Sequence, residues 1–68
     1  MNIANSFEQD QILDIVFEKK SNKISIIRNY YKQLKFVSDE SVIEEILDQI
    51  SEELESLLNY KEIINLLS

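Results

Sequence analysis

Apolar residues recur at seven-residue intervals along the C-terminal half of the chain, at Ile43, Ile50, Leu57 and Ile64, and no glycine or proline interrupts this or any other part of the 68 residues. A seven-residue apolar repeat keeps one stripe of a helix turned toward a neighbour over many turns. Without glycine or proline, the usual helix terminators are missing, and punctuation falls to Ser, Asn and Asp. The chain is therefore constrained to helices that pack on one another, and the expected class is all-α.

Three helical stretches follow from that punctuation. Ser6 followed by Gln9 reads as a capping box that opens a short N-terminal helix over about 6–20. Its apolar residues Ile12, Leu13, Ile15, Val16 and Phe17 cover more than half of its surface. Ser21 and Asn22 mark a break, after which Ile24, Ile27, Tyr31 and Leu34 form an a/d stripe on a helix over about 22–37. Ser38, Asp39 and Ser41 form the next boundary, with Ser41 and Glu44 as a second capping box and Asp39 and Glu40 suited to the positive end of a helix. The third helix, about 41–58, carries Ile43, Ile46, Leu47, Ile50, Leu54, Leu57 and Leu58 on one face. Asn59 and Glu62 allow either a bend with a short final helix over 60–67 or a continuous helix to the end. The expected architecture is one small domain over 1–68: a short N-terminal helix plus an antiparallel helical hairpin with connections of two to four residues.

A chain of this length buries only about 60% of the surface it exposes when unfolded, so its own core is marginal. With no cysteine and no histidine, neither a disulfide nor the usual structural zinc site is available as a staple. Self-association remains, and we expect a dimeric helical bundle. The stretch Met1–Ser6 lacks the basic start and apolar run of a signal peptide, and no apolar run approaches the roughly 20 residues of a membrane span. A soluble, cytoplasmic protein with no membrane contact is the expectation. The wealth of Asn, Ile, Lys and Ser points to an A/T-rich bacterial, plasmid or phage source.

Charge is segregated. Residues 1–20 set Glu8, Asp10, Asp14 and Glu18 against Lys19 and Lys20; residues 21–37 carry Lys23, Arg28, Lys32 and Lys35 without an acid; residues 38–68 set nine acids against Lys61. The carboxylates Glu44, Asp48, Glu52 and Glu55 lie in a row at spacings of four, four and three, where like charges repel by a few tenths of a kcal/mol per pair. Such a row calls for a counter-charge, and Arg28, Lys32 and Lys35 supply one, within the chain or from a dimer mate; a plain solvated face is the alternative. A row on one helix does not converge on a point as a divalent cation needs.

Catalysis asks for residues this chain lacks: no histidine for proton transfer, no cysteine nucleophile and no glycine-rich loop for phosphate. No catalytic residue, cofactor or metal ligand is assigned, and the chain reads as a non-enzyme. Arg28, Lys32 and Lys35 with Tyr30 beside them form a basic, aromatic stripe open to a nucleic acid, although a net charge of -6 opposes long-range attraction to a polyanion. Conversely, the acidic helix has the charge of a DNA mimic.

Two family likenesses accompany these patterns. Ser51, Glu52, Glu53, Leu54 and Glu55 resemble the Ser-Gln-Glu-Leu-Asp signature of the small sporulation aspartyl-phosphate phosphatases, helical hairpins that act on phosphorylated response regulators. Glu52 stands for the glutamine and Glu55 for the aspartate, and the segment lies further from the turn than in that family, so the chain is not assigned to it. In layout, residues 24–58 with the Asp39-Glu40 turn also resemble the plasmid proteins that dimerise into four-helix bundles and modulate RNA pairing. Both likenesses imply a small regulatory protein.

The functional expectation is a small regulatory or adaptor protein that binds protein partners and itself through helix faces. Its interaction surface is expected at Ile43, Ile46, Ile50, Leu54 and Leu57, packed against Ile24, Ile27, Tyr31 and Leu34. The alternative is a nucleic-acid-directed regulator acting through Arg28, Lys32 and Lys35, or an acidic DNA-mimic inhibitor.

Overall fold

A computed structural model describes residues 6–68, with side chains from residue 8 onward. Two long helices, α1 (Ser6–Leu34) and α2 (Glu40–Leu67), pack side by side as an antiparallel hairpin. The Cα positions extend 53 × 17 × 11 Å, a single layer two helices wide, so each helix keeps an outward face. The all-helical class and the hairpin agree with the sequence reading. The capping role expected of the Ser6 side chain, and the stretch Met1–Asn5, lie outside the described residues.

The separate N-terminal helix is corrected. α1 runs without a break through Ser21 and Asn22, both exposed. In a helix interior these residues cost only a few tenths of a kcal/mol each relative to alanine. Packing along the whole of α2 outweighs that cost. At the other end the two readings resolve to one: α2 continues through Asn59 and Glu62 to Leu67 as a single helix of 28 residues.

The inward residues of α1 fall at alternating steps of four and three: Gln9, Leu13, Val16, Lys20, Lys23, Ile27, Tyr30 and Leu34, all buried or half-buried. On α2 the matching seam is Ile43, Ile46, Ile50, Glu53, Leu57, Tyr60, Ile64 and Leu67, likewise all at least half-buried. Every residue of the heptad ladder lies in it. The seam is driest near the turn, where Ile27, Ile46 and Ile50 are buried and Tyr30, Leu34, Val37 and Leu57 pack around them; Val16 is the further buried apolar residue, toward the open end.

The connection is the five residues from Lys35 to Asp39. α1 closes with tightened bonds, the Lys35 amide donating to the Lys32 carbonyl and the Phe36 amide to that of Gln33. α2 is capped by Asp39, in the extended conformation (φ -72°, ψ 121°), whose carboxylate accepts from the Ser41 amide at 2.9 Å and the Ser41 hydroxyl at 2.8 Å. The capping residue is thus Asp39 rather than Ser41, because a cap oxygen must reach amides two or three residues on. Those bonds hold the Asp39 carboxyl below its ordinary 3.8, the Ser41 hydroxyl first and the Ser41 amide next. At the open end the Gln9 side-chain amide donates to the Leu67 carbonyl. That carbonyl is among the last four of α2, which have no partner within the helix.

Candidate interaction faces

Packing along the seam separates the residues expected to form one sticky surface. Ile27, Ile46 and Ile50 are buried between the helices, Ile50 at 4% exposure, while Ile43, Leu57 and Leu34 are half-buried in the same seam. Tyr31 and Leu54, by contrast, are 52% and 40% exposed. The inward aromatic is Tyr30, and the place expected for Ile24 in the stripe is taken by Lys23, with Ile24 half-buried beside it. The reason is length. A stripe read over Ile24–Leu34 alone is best served by apolar residues, but one that must also pass through Leu13 and Val16 over 29 residues selects positions one step away.

Lys23 is admitted to the seam because Glu53 lies opposite it, Nζ to Oε2 at 2.8 Å. That carboxylate oxygen is shielded from solvent and has the ammonium as its partner. The hydrogen bond to Glu53 holds the Lys23 ammonium above its ordinary 10.5, against partial loss of water and with help from the charges of Glu53 and Tyr60. The four-carbon stem of Lys23 meanwhile covers apolar neighbours.

The basic stripe and the acidic row do not meet within the chain. Arg28, Lys32 and Lys35 are exposed and, among the described residues, make no ion pair; Glu44, Asp48, Glu52 and Glu55 are exposed as well. Both sets lie on the outer sides of their helices, away from the seam. Among the described residues no three carboxylates come together as a metal site, and no helix is long and apolar enough to cross a membrane.

What remains is a flank that the sequence reading did not isolate. In an antiparallel heptad pair, the positions that follow each inward a residue by four line up along one side of the hairpin. Here they are Phe17, Ile24 and Tyr31 on α1, and Leu47, Leu54 and Lys61 on α2. The register fixed by Lys23 with Glu53 and by Gln9 with Leu67 sets Tyr31 level with Leu47, Ile24 with Leu54 and Phe17 with Lys61. Phe17 and Leu47 are each 48% exposed, and Leu58 widens the strip toward the outer side of α2. The opposite flank is interrupted by Lys19, Gln33, Gln49 and Ser56, with an open groove at the turn between Tyr30, Val37, Val42 and Ile46. Comparison with family models, curated proteins and solved structures finds no match for this chain.

Proposed function

We propose that the protein is a non-enzymatic regulatory or adaptor protein of the cytoplasm that works by helix-to-helix protein contact, including contact with itself. The observation that carries this reading is the apolar flank drawn from both helices, with Phe17, Tyr31, Leu47, Leu54 and Leu58 exposed, Ile24 half-buried among them and Lys61 as its charged member. Contiguous exposed apolar strips of this kind mark interaction sites. Among the described residues this single layer of two helices has four buried apolar residues, Val16, Ile27, Ile46 and Ile50, and another molecule can add a second layer.

Magnitudes set the expected strength. Completing the burial of five half-exposed side chains on each of two hairpins contributes about 1 kcal/mol apiece, or about 10 kcal/mol together. Association costs about 4–15 kcal/mol of lost freedom and side-chain ordering, so at most about 6 kcal/mol is left and the contact is no tighter than tens of micromolar and depends on concentration. Light scattering over a concentration series from tens of micromolar to millimolar tests the reading. A mass rising from monomer toward dimer is expected; a constant monomer mass through the millimolar range overturns self-association.

A second reading is favoured by the free basic edge. Arg28 and Lys32 of α1, and Lys35 just beyond its end, are exposed and make no ion pair among the described residues, which leaves them open to a nucleic acid. Retention of RNA or duplex DNA that weakens with salt, and disappears in an Arg28→Glu, Lys32→Glu variant of unchanged helicity, supports this reading over the first.

A further inference from the structure

We propose that the apolar flank is covered by a second copy of this chain in one particular arrangement: the two hairpins stack face to face with their turns at the same end, α1 of each lying over α2 of the other. The inference rests on self-association through this flank and adds its geometry.

Size is sufficient. Two helices of 28 or 29 residues are about 42 Å long, and side by side about 20 Å wide, so the flank offers roughly 800 Å² per copy, the size of a standard specific interface.

Charge then selects between the two symmetric ways of stacking two flanks. When the two-fold axis runs along the helices, α1 faces the other copy's α2; when it runs across them, α2 faces α2. Helix α2 carries eight acids against Lys61, a net of -7, whereas α1 carries four acids against five bases, a net of +1. The second arrangement therefore lays the two strongly acidic helices together, and the first interleaves them with the near-neutral ones. Like charges across an interface suppress an arrangement as effectively as attraction favours one.

The register carries the argument to individual residues. Running antiparallel to α1, α2 places Asp48 level with Arg28 and Glu44 level with Lys32. Within one hairpin these residues sit on opposite outer edges and cannot touch. Turning a copy about the long axis exchanges the edges at constant height, so Arg28 meets Asp48 of the second copy and Lys32 meets its Glu44. Each pair occurs twice by symmetry. The arrangement thereby supplies Arg28, Lys32, Glu44 and Asp48 with ion-pair partners that they lack among the described residues of the monomer.

The absence of cysteine makes a direct test simple. A Ser38→Cys variant, labelled with a nitroxide in the exposed turn, is examined by pulsed electron paramagnetic resonance, with light scattering on the same sample. A dimer whose labels lie within about 30 Å is expected, since both turns are at one end. A dimer whose labels lie about 40 Å apart or more, a helix length, overturns the arrangement while leaving self-association intact. A monomer at all concentrations overturns both and points to a different protein on the flank. As a second readout, Arg28→Glu with Lys32→Glu weakens the dimer about ten-fold, given the modest worth of each exposed pair. Adding Glu44→Lys and Asp48→Lys restores it, and failure of that rescue contradicts the proposal.

Discussion

Lys23 and Glu53 face each other across the hairpin seam at 2.8 Å, at positions where a heptad pattern ordinarily places apolar residues. Removing one partner strands the other's charge among half-buried neighbours, whereas replacing both with apolar side chains removes the cost of desolvation altogether. We expect Glu53→Gln to lower the thermal midpoint by a few degrees. The double variant Lys23→Leu, Glu53→Leu should unfold at or above the wild-type temperature. Thermal unfolding followed by far-UV circular dichroism checks both, and a double variant less stable than either single one contradicts this account of the pair.

The same pair sets a dependence at high pH. Because the Lys23 ammonium titrates above 10.5 in the folded chain, its contribution is complete below 10.5 and is lost as pH rises through the higher folded value. Wild type should therefore exceed Lys23→Met in stability by a constant margin from pH 7 to 10, and the margin should shrink above that. Urea unfolding of the two proteins side by side measures that margin. A margin that grows with alkalinity would be the contrary result.

Among the described residues Ile50 is the most deeply buried apolar side chain, packed with Ile27 and Ile46. Ile50→Ala should cost about 3 kcal/mol, combining lost burial with the cavity left behind. A hairpin with so small a core has little more than that to lose, and a broadened, lower unfolding transition is expected by calorimetry.

The residues that mattered most for the fold were legible, and those that mattered most for the site were partly hidden. The ladder Ile43, Ile50, Leu57 and Ile64 does line the seam, and the Ser38-Asp39 boundary is the turn. Ser21 and Asn22 misled because polar residues signal a helix break only when nothing stronger holds the helix, and here long-range packing does. Lys23 was invisible as a seam residue because its place depends on Glu53, thirty positions away. The split between seam and flank depends on the phase of α1 over its entire length, which a local stripe through Ile24 and Tyr31 does not reveal. The signal that could have found it is the steady four-three alternation from Gln9 to Leu34, with Lys20 and Lys23 retained as members.

Asp39 links the turn to acid stability. Its carboxyl titrates below 3.8 when folded, so the stabilisation is present above 3.8 and lost as pH falls through the lower folded value. Asp39→Ala should unfold a few degrees below wild type at pH 7 because the α2 cap is gone. That difference should shrink as pH falls below 3.8. A difference that persists undiminished at pH 2 would assign the effect to something other than the charged cap.

On the function proposed above, this chain has two apolar surfaces with separate duties, a seam that folds it and a flank that binds. Sedimentation of Ile50→Asp, Leu54→Asp and Leu66→Asp at matched concentrations, with helicity measured on each, tests this most directly. Ile50→Asp should lose its helical signal, Leu54→Asp should keep it but sediment as a monomer, and Leu66→Asp, 85% exposed and off both surfaces, should behave as wild type. A Leu54→Asp protein that still dimerises like wild type would contradict it.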